Sequence, residues 1–340
     1  MAASRRRRTP PPLPIRDGLN PSRARVPEGL HITALDFLTH LIASQRHRHP
    51  LDNAAAIAQR FDKGEVRLRD ATVLEASDLL RPGTDVWFYR TPAPEKPVPY
   101  EVEVVYEDAH ILLVNKPPFL ATMPRGEHIT ETATVRLRRL TGNNELAPAH
   151  RLDRLTSGLL LFTKLPEIRG AYQELFASRS VTKTYRAIAP YDAALARSVA
   201  SEGAVEWASH ITKTPGELRA RVWPEKEPNT HTSLIEVRLL DDSDSSSLPP
   251  SSPLLSSSPL SSPLSSSRSG LGAYILRPHT GKTHQLRVHM ASAGVPICGD
   301  PLYPVIRQAE EENFNVPLEL KAIGLSFIDP LNGKEREFRI

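Results

Sequence analysis

The run His150-Arg151-Leu152-Asp153-Arg154-Leu155-Thr156-Ser157-Gly158 leads without a break into Leu159-Leu160-Leu161-Phe162, and no other stretch constrains the fold as strongly. Four consecutive apolar residues read as a short buried strand. The Thr-Ser-Gly turn stops the charged run and lets the chain enter a core. A carboxylate is thereby held at the mouth of a rigid strand, between two arginines expected to favour its ionised form. The pattern fits a reactive side chain, but taken alone it fits a surface salt bridge better, since most charge clusters are solvated faces.

With 340 residues the chain can bury a real core, in one large domain or two ordinary ones. Its single cysteine, Cys298, excludes an intramolecular disulfide and a cysteine-rich zinc site, and fits a reducing compartment. No apolar run approaches the roughly 20 residues of a membrane span. The formal charge is +4, but Arg5 to Arg8 account for all of it, so global charge says little about partners. Distribution says more. Between Arg125 and Ala187 eleven Lys/Arg stand against six Asp/Glu, and Tyr274 to Met290 holds three basic residues and no acid. Positive charge gathers around the opening stretch.

Residues 1–15 are basic, Pro-rich and aperiodic, and are expected to be disordered. Their four arginines fit nuclear import, RNA tethering or part of an organelle presequence, although the prolines count against a transit helix. Helices are predicted from Thr33, a plausible N-cap ahead of Leu35, Leu38, Leu41 and Ile42, and over Asp52 to Phe61. Short strands at Lys63 to Val66 and Pro82 to Tyr89 complete a compact module over 16–90. Residues 91–99 carry four prolines and read as an extended linker.

From 100 to 340 strands dominate: Glu101 to Tyr106, Ile111 to Val114, Val181 to Ile188, Thr232 to Leu240 and Ala273 to Leu276. A hairpin is predicted over Val205 to Val222, turning at Pro215-Gly216. A second joins Leu320–Phe327 to Glu335–Ile340 through Asn332-Gly333. Helices are predicted over Glu131 to Leu140, Pro166 to Ser178 and about His284 to Ala293. Residues 243–269, almost all Ser, Pro and Leu, read as a disordered insertion on a surface loop. The fold class is α+β: a mixed, mostly antiparallel sheet with flanking helices and loops, plus a small N-terminal α/β module.

Gly281-Lys282-Thr283 is not a phosphate loop, because position 276, where that motif needs glycine, is Leu. His284 and His289 are five apart, so on a helix they do not form an i, i+4 zinc pair; packing or hydrogen bonding accounts for them better. Cys298, beside Pro296 and Ile297, reads as a small buried apolar residue. Lys183-Thr184-Tyr185-Arg186 sets an aromatic between basic residues on a strand, a modest nucleic-acid signal that an ordinary amphipathic strand also explains.

Taken together, His150 to Gly158, Lys183-Thr184-Tyr185 and Thr280-Gly-Lys-Thr-His-Gln-Leu-Arg287-Val-His289 closely resemble the ordered motifs of the RluA family of RNA pseudouridine synthases. Ile111-Leu-Leu-Val-Asn-Lys-Pro117 and Gly294-Val-Pro-Ile-Cys-Gly-Asp-Pro-Leu-Tyr303 resemble two further motifs. The resemblance covers roughly residues 100–304 apart from the insertion. Gly18-Leu-Asn-Pro21 and the segment Arg81 to Arg90 are similar to the N-terminal module of members acting on transfer RNA and large-subunit ribosomal RNA. Gly64-Glu65-Val66 is similar to an S4-type RNA-binding module.

The resemblance implies the pseudouridine synthase fold and an isomerase that cuts the C1′–N1 bond of a uridine in tRNA or rRNA, rotates the base and rejoins it through C5. It implies no cofactor and no metal. Asp153 matches the catalytic aspartate, acting at C1′, on the base or on the C2′ proton. Arg287 matches the basic residue that pairs with it, and Tyr185 the tyrosine on which the base stacks, its hydroxyl available to move the C5 proton. Leu286 matches the apolar residue across the pocket. Arg151 is expected to fill the gap left by a flipped uridine, and Arg154 to contact phosphate or His150. His150, Lys183 and Lys282 complete the expected substrate-binding set, Lys282 standing where many relatives carry arginine. The expected protein is an intracellular monomer with an RNA partner and no membrane; cytoplasm, nucleus and mitochondrion all fit.

Overall fold

Two asparagine- and threonine-capped helices open the chain's first folded unit. Thr33 Oγ1 accepts the Asp36 N–H (3.1 Å) at the start of α1 (Ala34–Ala43), and Asn53 accepts the Ala56 N–H (3.2 Å) at α2 (Ala54–Asp62). The structure, a computed structural model, describes residues 11–241, 270–307 and 312–340. The disorder expected of 243–269, and of residues 1–10 within 1–15, lies outside the described residues, but residues 11–15 are ordered against the expectation: Leu13 is buried with Trp87 and Tyr89, and the Tyr89 hydroxyl donates to the Pro14 carbonyl (2.8 Å). The contacts divide the chain into two units, Met1–Pro97 with Met123–Asn144, and Val98–Thr122 with Glu145–Ile340.

In the first unit β1 (Ser22–Arg25), β2 (Ile32–Thr33), β3 (Val66–Arg67), β4 (Leu79–Leu80) and β5 (Asp85–Phe88) form a three-stranded sheet, β1-β5-β3, and a β2-β4 pair. Phe37, Leu38, Ile42, Ile57 and Phe61 bury against Val66, Val86 and Phe88. Residues 123–144, with α3 (Ala133–Thr141), group with this unit. Glu95 accepts the N–H groups of Ile129 (3.0 Å) and Thr130 (2.6 Å), and Arg138 donates to the Gly18 carbonyl (3.1 Å).

The second unit is built on β6 (Glu103–Glu107), β7 (Ile111–Lys116), β8 (Ala147–Pro148), β9 (Ser157–Thr163), β10 (Val181–Pro190), β11 (Val205–Ser209), β12 (Ile211–Thr212), β13 (Arg221–Val222), β14 (Thr230–Leu239), β15 (Leu271–Pro278), β16 (Leu320–Ile328) and β17 (Glu335–Arg339). Ten of these form one sheet in the order β11-β14-β15-β10-β16-β9-β7-β6, with β17 on β16 and β8 on β9. All pairs are antiparallel except β9–β16, which is the mixed, mostly antiparallel sheet expected. The parallel contact is so close that a Cβ on Gly158 (φ +107°) would lie 2.1 Å from the Ala322 carbonyl oxygen; only glycine fits.

Helices α4 (Arg169–Ala177), α5 (Ala193–Glu202) and α6 (Gln285–Ser292) flank the sheet. The reading of the sequence missed α5. Asp192 caps it and Gly203 ends it in the left-handed region, but Val199 is its one buried residue, so it carries little apolar periodicity.

Candidate active site

The site is assembled where β7 ends. Lys116 follows five strand residues into the core and has no exposed surface. Its ammonium donates to the carbonyls of Pro117 and Leu120 (2.8 Å each) and of Arg154 (3.2 Å). Burial pushes its pKa down to about 7, partly opposed by the charge of Asp153. Thr122 Oγ1 donates to the Leu152 carbonyl (2.8 Å) and accepts the Leu152 N–H (3.2 Å). The loop is thus clamped on both sides of Asp153, and a Thr156 N–H bond to the Asp153 carbonyl (3.0 Å) closes the turn. Asp153 itself is half-buried.

Tyr185 projects from β10 and packs in one apolar cluster with Leu155 and Leu286. Burial, and then the charge of Asp153, raise its pKa, so the phenol keeps its proton at neutral pH. Lys183 reaches the loop before α6, where a Cβ on Gly281 would sit 3.8 Å from its Nζ. Burial and Arg179 lower the Lys183 pKa.

That loop is pinned by Gln285. Its Oε1 accepts from Thr280 Oγ1 (2.7 Å) and the Lys282 N–H (3.2 Å), and its Nε2 donates to the His231 carbonyl (2.9 Å). His284 then enters α6 in the left-handed region (φ +61°), a strained conformation for a side chain of its size. Its Nδ1 lies 3.0 Å from the Tyr303 hydroxyl, and burial pushes its pKa to about 4 despite the charge of Asp153.

The expected Asp153–Arg287 pair is not formed. Arg287 instead forks onto Asp300, Nε to Oδ2 at 2.8 Å and Nη2 to Oδ1 at 2.6 Å, with both side chains almost fully buried. Asp300 Oδ1 also accepts the N–H groups of Leu302 (2.8 Å) and Tyr303 (3.1 Å), and the guanidinium carbon sits 5.3 Å from the Tyr303 ring centre. The reason is proximity: a short connection after α6 returns Asp300 to the helix that carries Arg287.

Two other expected site residues take partners within the protein. Arg154 forks onto Glu312 (3.0 and 2.5 Å) rather than onto His150, and donates to the Phe119 carbonyl (3.2 Å). His150, expected at the substrate, is engaged in structure. Its ring stacks on Phe176 (4.2 Å, 16°), Nε2 accepts the Leu161 N–H (3.2 Å), and burial pushes its pKa to about 3. Arg151 and Lys282 are exposed, and Leu286 is buried. His289 bridges Ser209 (2.8 Å) and Thr232 (2.9 Å), the hydrogen-bonding role expected of it. Among the described residues no group of three His, Cys, Asp or Glu is placed to hold a metal ion, and no helix is long and apolar enough to cross a membrane.

Lys116, Asp300 and Tyr303 lie within motifs quoted from the sequence but were given no role there, and His284 was read only as a packing or hydrogen-bonding residue. The available signal was a lysine ending an apolar strand immediately before Pro117-Pro118, with no polar alternation to bring it to the surface.

The family described as RNA pseudouridylate synthase matches residues 110–292. The chain is 27% identical over 272 residues to RNA pseudouridine synthase 5 of Arabidopsis thaliana, covering 72% of this chain and 66% of that one. It is 28% identical over 267 residues to ribosomal large subunit pseudouridine synthase D of Zymomonas mobilis, covering 73% and 71%. The chain thus spans about two thirds of the length of these relatives. The solved structure titled human RNA pseudouridylate synthase domain containing 1 superposes with a TM-score of 0.51 at 22% identity, covering 73% of this chain and 86% of that one. That likeness establishes a shared fold.

Proposed function

The chain belongs to the RNA pseudouridylate synthase family, with relatives of RluA type, and on that premise we propose that it isomerises uridine to pseudouridine in tRNA or rRNA, with Asp153 as the catalytic carboxylate. The observation that carries the assignment is the double clamp, Lys116 on the Arg154 carbonyl and Thr122 on Leu152, which fixes a carboxylate in the electrostatic neighbourhood of Tyr185 and His284.

In this reading the uracil stacks on Tyr185, a contact worth about 1–3 kcal/mol in other nucleic-acid sites, with Leu286 and Leu155 completing an apolar wall that excludes water. Asp153 acts on the nucleotide at C1′, at the base or at the C2′ proton. Since Tyr185 is protonated, its hydroxyl can take the C5 proton only by handing on its own, and Asp153 is the acceptor whose charge it senses. Arg287, oriented by Asp300, supplies a fixed positive charge, and exposed Arg151 fills the space the extruded uridine leaves. Lys183 and Lys282 hold phosphates beside the Gly281 turn.

The N-terminal unit supplies a second RNA surface. Arg23, Trp87 and Arg67 stand in one register row across β1, β5 and β3. Arg16 stacks 3.7 Å over the Tyr89 ring, and Arg23 and Arg69 lie 5.6 and 6.0 Å from that of Trp87. Stacking, together with the ion pairs of Arg16 to Glu65 and of Arg23 to Asp85 (2.7 Å each), orients these guanidiniums and leaves their remaining N–H groups for phosphate. Arg23→Glu with Arg69→Glu should raise KM for RNA and leave kcat unchanged.

The decisive experiment is Asp153→Asn: folding and RNA affinity are retained and uridine isomerisation is lost. Appreciable turnover by that variant would exclude Asp153. Mapping pseudouridines transcriptome-wide with and without the protein identifies the RNA.

A further inference from the structure

On the sheet face opposite Tyr185, a second polar constellation is left unused by this chemistry. Successive strand residues point to opposite faces, so Arg186, which follows Tyr185, projects to the other side. Arg186 is paired in register with Lys321 of β16, and Lys321 with Ser157 of β9. Three adjacent strands therefore present arginine, lysine and a hydroxyl in one row.

Directly opposed side chains on neighbouring strands lie roughly 5 Å apart, where like charges repel. Both cations are half-buried, and among the described residues neither forms an ion pair or side-chain hydrogen bond. Burial and Arg186 lower the Lys321 pKa, with Glu103 opposing them. The row lines a recess of about 40 Å³ walled by Pro118, Ile188 and residues 317–320, Glu319 among them. Two cations side by side in a recess are stable when something negative bridges them.

We propose that Arg186, Lys321 and Ser157 form an anion site for a phosphate group, distinct from the uridine pocket. A tetrahedral oxyanion accepts the Arg186 fork and the Lys321 ammonium, and also the Ser157 hydroxyl once it turns from its long 3.4 Å bond to the Leu320 carbonyl. It also ties β10, which carries Tyr185, to β9, which begins four residues after Asp153. A phosphodiester of the RNA backbone and free inorganic phosphate both offer this chemistry.

The test is calorimetric titration of the full chain with inorganic phosphate, chloride holding ionic strength constant, for wild type, Arg186→Met and Lys321→Met. Saturable binding to wild type is expected, weakened about ten- to hundredfold by either substitution, the loss of one charge-assisted contact. Thermal unfolding gives an internal check on folding. Removing one of two repelling cations leaves Lys321→Met melting at or above wild type in chloride, and below it in saturating phosphate. If phosphate competes with RNA and Arg186→Met raises KM for RNA, the occupant is a backbone phosphate; if RNA affinity is untouched while phosphate binding is lost, it is the free ion. Equal phosphate affinity in wild type and both variants, or no saturable binding at all, overturns the site. The titration needs no turnover, so its failure is separate from any failure of the isomerase reading.

Discussion

Replacing Asp300 by Asn tests which carboxylate Arg287 serves. The guanidinium and the carboxylate are 2% and 1% exposed, with two short bonds between them. Removing one charge of such a pair strands the other in a low dielectric, typically at a cost of about 3–5 kcal/mol. The amide also turns an N–H group toward the Arg287 donors while its oxygen must still serve Leu302 and Tyr303. At about 2–4 °C per kcal/mol for a domain of this size, the melting temperature should fall by roughly 6–20 °C. Asp153→Asn should shift it little, because no ion pair holds the Asp153 side chain among the described residues. Urea unfolding of both single variants and the double variant gives the comparison. Were Asp153→Asn the costly change and Asp300→Asn the mild one, the Arg287–Asp300 assignment would be refuted and the pairing expected from sequence restored.

Lys116 should give stability a pH slope. Its folded pKa is about 7 against an ordinary 10.5, so between these values the unfolded chain holds the extra proton and stability rises with pH, falling again as pH drops toward 7. Unfolding free energies from pH 7 to 10 should show this rise in wild type and a flatter profile in Lys116→Met; equal slopes count against a buried titrating lysine. Tyr303→Phe removes the hydroxyl that accepts the buried Ala220 N–H at 2.7 Å and contacts His284, so a loss of about 1–3 kcal/mol is expected in chemical denaturation. Gly158→Ala drives a methyl into the Ala322 carbonyl and should abolish soluble folded protein; a well-folded variant would mean that the β9–β16 contact is looser than described. Tyr185→Phe should keep stacking and RNA affinity but slow release of the C5 proton, measured with 5-tritiated uridine RNA, and unchanged release would exclude a hydroxyl role.

Much of the scaffold was legible locally. Thr33 caps α1 because its hydroxyl reaches an N–H three residues on, and the Asn332-Gly333 hairpin follows from glycine's tolerance of positive φ. Apolar runs marked β7 and β9, since a strand inside a sheet must be apolar to lose its water. Asp153 and Tyr185 were singled out through their motifs, and both lie in one unit, where Tyr185 senses the charge of Asp153.

Pairing was not legible. The run from His150 to Gly158 fixes by itself that a charged loop meets a buried strand, because turn chemistry and apolar runs act over a few residues. It does not fix which charges meet. Arg154 finds Glu312, 158 positions away, and Arg287 finds Asp300 rather than Asp153. Lys116 finds three carbonyls and His150 an aromatic ring. An ion pair in a core is settled by distance and desolvation, and both exist only once the order of the strands has brought distant segments together.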